Sequence, residues 1–273
     1  MLVRRLRGHD HMADADALFR DGDLAGARAV LVEIVKSRPS DQQARMFLFQ
    51  LLGIAGEWVK ARNQLQALSQ LSPAAQMLGV TYNQVIDAEE ERAAVFAGKR
   101  DMVLLSGAGT WADGLARAVS LRACGDVSGA DAARDAAFDA APDTGGQLDG
   151  QTFEWLADSD SRFGPSVEAI VGGKYGLIPF DQISAITSPG PKDLRDTIWY
   201  PVEIAFRSGQ SGAAFLLARY PGSETMTGTP EQLGRATSWV DHDWGQGGAG
   251  QHEWTLSDET DRGLLDLRHL AFD

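Results

Sequence analysis

Acidic side chains close to an arginine, near the middle of the chain, are the first candidates for chemistry. Asp158, Asp160 and Arg162 alternate with serines, and a calcium loop begins with alternating carboxylates of this kind. The pattern then fails, because arginine fills the third ligand position and Ala169 fills the twelfth, where calcium needs a bidentate glutamate. We therefore expect these carboxylates to cap a helix that begins near Pro165 and to pair with Arg162, which is a structural role.

Two histidines are a second candidate, since imidazole and carboxylate groups together bind metal ions. His242 and His252 lie beside acidic residues, but their spacing matches no metal motif, and the glycine-rich stretch 245–250 between them predicts a mobile hairpin loop. Residues 209–213 miss the final glycine of a nucleophile elbow. Residues 106–110 lack the third glycine and the Lys-Ser/Thr pair of a phosphate-binding loop. The residues alone therefore indicate no active site, no metal and no cofactor.

Charge and cysteine content exclude several functional classes. The 273 residues include 25 Lys and Arg against 38 Asp and Glu, a formal net charge of −13. Nucleic acids and anionic membranes recruit clustered cations, so this composition argues against both as partners. The single cysteine, Cys124, cannot form an internal disulfide, which fits a reducing cytoplasm, and its position before Gly125 predicts a buried small side chain. No apolar stretch approaches the roughly 20 residues that cross a bilayer.

The first half of the chain contains a repeat of 34 residues, which predicts the secondary-structure elements there. A weaker third copy begins at Gly125, and each copy predicts a turn, an amphipathic helix and a proline that ends it. The preceding stretches supply partner helices, so the first half predicts helical hairpins similar to tetratricopeptide repeats. Gly22, Leu24, Ala27, Arg28, Leu31, Ile34 and Pro39 match Gly56, Trp58, Ala61, Arg62, Leu65, Leu68 and Pro73.

Between the second and third copies, residues 76–97 predict a long helix that carries the charged run 89–92 and ends at Gly98. Stacked hairpins bury each other's faces and leave a concave groove, which commonly takes an amphipathic helix or an extended peptide. Most of the apolar stripe is the internal core of such a stack. We expect the less buried positions of the first helix of each hairpin to line the groove.

The second half has a different pattern. A turn-rich stretch, 142–150, marks the boundary between a helical-repeat domain over 13–141 and a smaller, mostly antiparallel β-rich domain over 151–273. We interpret residues 1–11 as a tag or an upstream extension, and the fold class as α+β multidomain. A helix over 165–171 precedes the strands, and the last β-type run is equally compatible with a helix. The runs of β type are 175–180, 183–187, 198–206, 213–220, 236–240, 253–256 and 264–272.

Several short sequence segments of this half, here called phrases, form a specific pattern when they are taken together. Their residues are Trp155, Asp158, Asp160, Arg162, Gly164, Pro165, Glu168, Tyr175, Pro179, Arg195, Asp196, Trp199, Pro201, Arg219, Tyr220 and Pro221. Together with the helical repeats, these phrases resemble the TagJ family, also called ImpE or SciE, which comprises accessory proteins of the bacterial type VI secretion system. The resemblance runs from about residue 13 to the end. One departure is Gly176, which stands after Tyr175 where a second aromatic residue is expected.

The resemblance implies a cytoplasmic, non-enzymatic adaptor. Members of the family are associated with the small subunit of the contractile sheath, through its N-terminal helix, and with the AAA+ ATPase ClpV that dismantles contracted sheath. A groove between helical repeats is a physically sensible receptor for an amphipathic helix. The resemblance assigns no partner-binding residues. We interpret the shared phrases as maintaining the fold, with Trp155 and Trp199 in the core and Pro201 in a turn.

A second hypothesis places an enzyme or a small-ligand site in residues 151–273, with the repeats serving for docking or oligomerisation. A deep pocket that gathers Asp158, Asp160, Arg162 and Arg195 would favour this hypothesis. An open apolar groove within residues 13–140 would favour the adaptor. The sequence leaves the oligomeric state open.

Overall fold

The computed structural model describes residues 8–273, so residues 1–7 of the predicted tag or upstream extension lie outside the described part. The chain divides into two units. The first ends at Ile86 and includes Thr227–Thr229, and the second comprises Asp87–Met226 and Pro230–Asp273. The predicted fold class is confirmed, because helical hairpins come first and a mostly antiparallel β-rich part follows.

The first unit consists of helical hairpins, as the repeat predicts. α1 packs on α2 and α3 packs on α4. The helices are α1 (Gly8–Arg20), α2 (Leu24–Ser37), α3 (Gln42–Ile54), α4 (Trp58–Ser69) and the first part of α5 (Pro73–Phe96).

The recurring apolar positions contribute to the core of this unit, since they return to the same face of each second helix, and residues of α3 such as Leu48, Phe49 and Leu52 complete it. Asp23 also caps α2, since its Oδ1 accepts a hydrogen bond from the Gly26 amide at 2.8 Å. The buried recurring residues are Ala27, Leu31 and Ile34 in α2 and Ala61, Leu65 and Leu68 in α4.

The second unit contains the third hairpin. α6 (Ala112–Ala123) packs on α7 (Val127–Ala140), and Asp126 caps α7 by accepting from the Gly129 amide at 3.0 Å. α5 ends before Gly98, whose φ of +68° fits the predicted C-terminal glycine. The expectation that Cys124 is buried is wrong: it follows the last turn of α6 and is exposed.

The rest of this unit is built from short strands, 3-10 turns and one four-residue helix, whose first residue, Thr229, is assigned to the first unit. Their bounds are β1 (Gly146–Leu148), β2 (Gln151–Phe153), β3 (Leu156–Asp158), β4 (Ser166–Val171), β5 (Lys174–Pro179), β6 (Ile183–Thr187), β7 (Trp199–Phe206), β8 (Ser211–Leu217), α8 (Thr229–Gln232), β9 (Thr237–His242), β10 (Gly245–Gly250), β11 (Glu253–Leu256), β12 (Asp261–Gly263) and β13 (His269–Phe272).

Eight of these strands form one sheet in the order β2-β1-β13-β6-β7-β8-β4-β5, and every neighbouring pair is antiparallel. Smaller sheets pair β9 with β10 and arrange β12-β11-β3. Leu104 pairs in parallel with Leu177 beside the edge strand β5. This pairing explains the departure at Gly176, because a Cβ there would lie 2.6 Å from the Val103 carbonyl oxygen and an aromatic side chain has no room.

The expected helix over 165–171 is wrong, since residues 166–171 form strand β4. Val167 and Ala169 pack into the sheet core, while Glu168 and Ile170 on the opposite face are buried as well. A strand buried on both faces shows no alternation of apolar and polar residues, so its sequence does not distinguish it from a buried helix. The expectation that Asp158 and Asp160 cap this helix falls with it.

The expected mobile loop over 245–250 is also wrong, because these residues form strand β10, paired with β9. A Cβ at Gly248 would lie 2.4 Å from the Tyr220 ring, and one at Gly247 would lie 2.8 Å from the Trp244 ring. The glycines of this strand therefore admit aromatic rings against the backbone. They do not mark a flexible tip.

Other strands differ from the prediction in detail. β1 begins inside the stretch 142–150, and β1, β2, β3 and β12 are each three residues long, too short to show a period. In the last run, a 3-10 turn at Leu264–Asp266 precedes β13, so its end is a strand. Pro201 lies inside β7 instead of in a turn. The β6 ladder ends at the pair Thr187 and Glu203, so proline removes no hydrogen bond to β6.

The predicted domains, 13–141 and 151–273, follow the change from helix to strand. Contacts within the chain divide it between Ile86 and Asp87. The third hairpin belongs with the sheet: Trp111 Nε1, beside α6, donates to Asp181 Oδ2 at 3.2 Å, and the Arg122 guanidinium stacks on Trp244.

Candidate functional site

Several residues of the shared phrases meet in a buried polar network of the second unit. Asp158 ends β3, Glu168 lies in β4, Tyr175 lies in β5, and Tyr220 follows β8. His252, which precedes β11, joins them. Since buried polar groups are costly without partners, the hydrogen bonds of this network decide what it can do.

Glu168 is held by an arginine of α5. Arg92 Nε lies 2.9 Å from Glu168 Oε1, and Arg92 Nη2 lies 2.5 Å from Oε2 and 2.7 Å from the Arg219 carbonyl oxygen. The Tyr175 hydroxyl donates to Glu168 as well. Burial alone would raise the pKa of Glu168, but the Arg92 charge and the hydrogen bonds to the carboxylate lower it to about 2. Glu168 is therefore a fixed carboxylate at neutral pH.

His252 lies between two carboxylates. Its Nδ1 is 2.6 Å from Asp158 Oδ2, and its Nε2 is 3.2 Å from Glu168 Oε2. When Asp158 and Glu168 are both ionised, each accepts a hydrogen bond from the ring, so both ring nitrogens carry hydrogen and the ring is the imidazolium. Burial acts to lower the pKa of His252, but the two carboxylates raise it above its ordinary value.

A second arm of the network contains the pair predicted from the sequence. Arg162 Nε lies 3.0 Å from both oxygens of Asp160, and Nη2 lies 2.6 Å from Oδ2. The prediction that Arg162 pairs with these carboxylates is confirmed for Asp160. Asp160 Oδ2 also accepts from the Gly248 amide at 2.7 Å, which connects the pair to β10. Asp158 instead accepts from the Tyr220 hydroxyl at 2.8 Å.

Trp199 is connected to the network through Glu89, whose Oε2 lies 3.8 Å from Arg92 Nη1. Trp199 is buried, as predicted, and its Nε1 donates to Glu89 at 2.8 Å. Trp155 is 38% exposed, so its expected place in the core is wrong. Arg195 pairs with Asp193. Of the four residues whose gathering in a deep pocket would favour an enzyme, Asp158, Asp160 and Arg162 meet in the network.

The remaining residues of the phrases lie in turns or at the ends of strands. Asp196 accepts from the amides of Lys192 and Asp193 at 2.8 and 3.0 Å. The Pro165 carbonyl oxygen accepts from the Phe180 amide at 3.0 Å. Gly164 has φ +49°, Pro179 ends β5, Arg219 donates to the Gln232 carbonyl, and Pro221 is half-buried.

The polar groups of the network are hydrogen-bonded to one another. The two ring nitrogens of His252 are both occupied, and Glu168 has partners on each oxygen. Among the side chains that the structure describes, no group of three His, Cys, Asp or Glu is placed to bind a metal ion. The arrangement fixes β3, β4 and the chain after β8 relative to α5.

An open pocket of about 310 Å³ lies next to Arg162. Trp244 is central to it: the guanidinium carbons of Arg122 and Arg162 lie 4.8 and 5.2 Å from the Trp244 ring centroid, and His242 stacks on the same ring at 4.7 Å. Phe96, Val119, Ala123, Pro221 and Gly222 complete the lining. The pocket offers cations and aromatic faces together.

The first unit has an open depression of about 770 Å³. It is lined by Ala29, Val30, Glu33, Ile34 and Ser37 of α2, by Arg38 directly after that helix and by His11 of α1. Its lining combines small and branched apolar side chains with charged groups. Such a surface accepts apolar anchors of another chain. The expectation that first helices line the groove stays a prediction.

Sequence reasoning did not find Arg92, Arg122 or Trp244. Arg92 falls in the charged run 89–92, which is typical of a solvated helix face, although Glu89 and Arg92 are both buried. The partner Glu168 is 76 residues away, so no local spacing indicates the pair. The one available signal was the glycine-rich stretch beside Trp244, which indicates close approach of rings to a backbone as readily as a loop.

None of the helices within residues 8–273 combines the length and the hydropathy that a membrane span requires.

Comparison with known proteins gives concordant matches. A family model described as ImpE protein matches residues 150–271. The type VI secretion system accessory component TagJ of Pseudomonas aeruginosa is 38% identical over 272 residues, which covers 100% of this chain and 95% of that protein. The crystal structure of protein VPA1032 from Vibrio parahaemolyticus matches with a TM-score of 0.85 at 21% identity, over 95% of this chain and 97% of that one. At 21% identity the likeness establishes the fold alone.

Proposed function

The chain belongs to the ImpE (TagJ) family of type VI secretion accessory components, and we propose that it acts there as a non-enzymatic, cytoplasmic adaptor. In this proposal the helical repeats bind the N-terminal helix of the small sheath subunit. Binding assists the ATPase ClpV in recycling contracted sheath.

The observation that carries the proposal is the open depression on α2. Its volume of about 770 Å³ falls within the range of protein sites that hold ligands, about 300–1,000 Å³. Val30 and Ile34, four residues apart on one helix face, are apolar members of its lining, and Ala29 beside them is small and exposed. An amphipathic helix inserts its apolar side chains into such a surface at helical spacing.

The charges around the depression support an amphipathic partner. Glu33 and Arg38 stand at the rim, and Glu33 is paired with Lys36 at 2.7 Å. Rim charges of both signs orient a helix that carries polar residues on its outer face, and they contribute more to the rate of association than to affinity.

The buried network of the second unit supports the non-enzymatic part of the proposal. A general acid or base must reach a substrate proton within hydrogen-bond distance. His252 and Glu168 are each at least 98% buried and are bonded to one another. In this proposal the second unit therefore contributes a folded surface and no reaction.

The test is a titration of the full chain with a labelled N-terminal peptide of the small sheath subunit, followed by fluorescence anisotropy. Ala29 is exposed, so Ala29→Glu places a charge in the depression without disturbing the core, and we expect affinity to fall about tenfold or more. Ala136→Glu, an exposed alanine of α7 in the second unit, is the matched control and should bind like wild type. Absence of saturable binding by the wild-type chain would refute the helix-binding role.

The recycling part needs its own measurement. Contracted sheath is incubated with ClpV and nucleotide, and disassembly is followed with and without the full chain. We expect disassembly to be faster with wild type than with Ala29→Glu. An identical rate with and without the protein would remove the recycling role and leave helix binding intact.

A further inference from the structure

We propose that the pocket around Trp244 in the second unit binds the carboxylate of an acidic side chain presented by a peptide segment of a protein partner. For brevity, this arginine pocket is the cavity lined by Arg122, Arg162, His242, Trp244 and Phe96 with their apolar neighbours. It is separate from the depression on α2 and does not depend on the helix-binding role.

The arginine pocket presents hydrogen-bond donors that the protein itself leaves unused. Arg162 donates to Asp160 through Nε and Nη2. Its Nη1 has no hydrogen-bond partner among the described residues. Arg122 donates to Asp131 through Nη2 at 2.8 Å and to the Trp244 carbonyl oxygen through Nη1 at 3.3 Å. Its Nε likewise lacks a partner within the described part of the chain. Two guanidinium groups with N–H groups to spare, beside one cavity, match a carboxylate.

The two arginines are held before any ligand arrives. The Arg122 and Arg162 side chains are only 7% and 9% exposed, and both stack on the Trp244 ring. Side chains fixed in this way lose little conformational entropy when a ligand binds. Their low exposure also strengthens the attraction of an anion, because water screens it less.

The walls of the arginine pocket favour a peptide over a free anion. Phe96, Val119 and Pro221 are apolar, and the cavity of about 310 Å³ is at the small end of the range for ligand sites. A site of this size takes one acidic side chain together with an apolar neighbour. Tryptophan and arginine are also the residues that most often carry the binding energy of protein interfaces.

The local charge sets this pocket apart from the rest of the chain. The net charge of −13 repels acidic segments in general. At the arginine pocket, Asp160 pairs with Arg162 and Asp131 pairs with Arg122. Asp131 also accepts a hydrogen bond from Arg134 Nη1 at 2.9 Å. An acidic side chain is therefore accepted here through specific hydrogen bonds, in preference to other parts of the surface.

The test uses the full chain labelled with 5-fluorotryptophan, in which Trp244→Phe identifies the resonance of Trp244. The probes are the capped dipeptides acetyl-Phe-Glu-amide and acetyl-Phe-Gln-amide, and inorganic phosphate. We expect a saturable shift of the Trp244 resonance with the glutamate peptide, and binding weaker by about tenfold or more with the glutamine peptide.

Arg122→Gln should weaken the glutamate peptide by a similar factor, since Asp131 keeps Arg134 as a partner. Arg134→Gln is the matched control, because it also removes a partner of Asp131 but does not line the pocket, and it should bind like wild type. Unchanged circular dichroism confirms the fold of each variant. Equal shifts from both peptides, no shift up to the solubility limit, or tighter binding of phosphate than of the glutamate peptide would each overturn the proposal.

Discussion

Arg92 of α5 and Glu168 of β4 form a two-pronged ion pair in which both side chains are almost entirely buried. The two N···O distances are 2.9 and 2.5 Å, and the exposed fractions are 8% and 1%. A buried pair of this kind compensates its lost hydration only through good geometry, and removal of one partner leaves an uncompensated charge in the interior. The pair therefore fixes the end of α5 to the sheet of the second unit.

Loss of one charge of this pair should be costly. We expect Glu168→Gln to lower the free energy of unfolding by about 3–5 kcal/mol, measured by urea denaturation. Glu91→Gln, which breaks the exposed pair with Arg100 at 3.4 Å, is the control and should cost under about 1 kcal/mol. The double variant Arg92→Met with Glu168→Gln should be more stable than Glu168→Gln alone. If Glu168→Gln and Glu91→Gln lower the free energy of unfolding by the same amount, the buried ion pair has no structural role.

His252 should give the second unit a specific dependence on pH. Since the pKa of His252 is raised in the folded state, the stabilisation is complete below the unfolded pKa of about 6.5 and is lost as pH rises through the folded pKa. The unfolding free energy should thus fall above about pH 6.5, by up to about 1.4 kcal/mol per pH unit.

The difference between wild type and His252→Asn isolates this effect, because asparagine takes up no proton. We expect that difference to shrink as pH is raised from slightly acidic to alkaline, as measured by urea denaturation at each pH. His242→Asn removes an exposed histidine and should retain the wild-type slope. A constant difference between wild type and His252→Asn would contradict an imidazolium between Asp158 and Glu168.

The glycine at the centre of β10 should be intolerant of any side chain. A Cβ at Gly248 would lie 2.4 Å from the Tyr220 ring, and Tyr220 is fully buried and bonded to Asp158. We expect Gly248→Ala to cost about 1–3 kcal/mol, as overpacking does, in thermal unfolding followed by tryptophan fluorescence. Gly212→Ala in β8 is the control, since a Cβ there meets nothing within 4 Å. Equal melting temperatures for both variants would mean that Tyr220 moves aside freely.

The repeat and the local ion pair were predictable because their signals lie close together in the sequence. Leu31 and Leu65 are buried at equivalent positions, so a spacing of 34 residues reports the packing directly. Asp160 and Arg162 are two residues apart, and their pairing follows from that spacing. These features needed no knowledge of the fold.

The buried network and two strands were not predictable for physical reasons. The contact between Arg92 and Glu168 exists only once α5 and β4 are folded, and 76 residues separate them. β4 lacks alternation because both of its faces are buried. β10 has the composition of a loop, yet its glycines are required by the rings of Tyr220 and Trp244.

The caps of the repeated helices differ between copies, which gives a test within one chain. Asp126 Oδ1 accepts from the Gly129 amide at 3.0 Å, whereas Glu57, at the equivalent position before α4, makes no such bond. Loss of a helix N-cap typically costs about 1 kcal/mol, so Asp126→Ala should destabilise the second unit by that amount in urea denaturation.

Asp139→Ala is the matched control for this substitution, because Asp139 is exposed near the C-terminal end of the same helix. Removal of a negative charge there improves the interaction with the helix dipole, and we expect no loss of stability or a gain of a few tenths of a kcal/mol. Opposite signs for two aspartate-to-alanine substitutions on α7 would separate the cap from a general effect of charge. If Asp126→Ala and Asp139→Ala shift the midpoint in the same direction by the same amount, the cap does not stabilise the third hairpin.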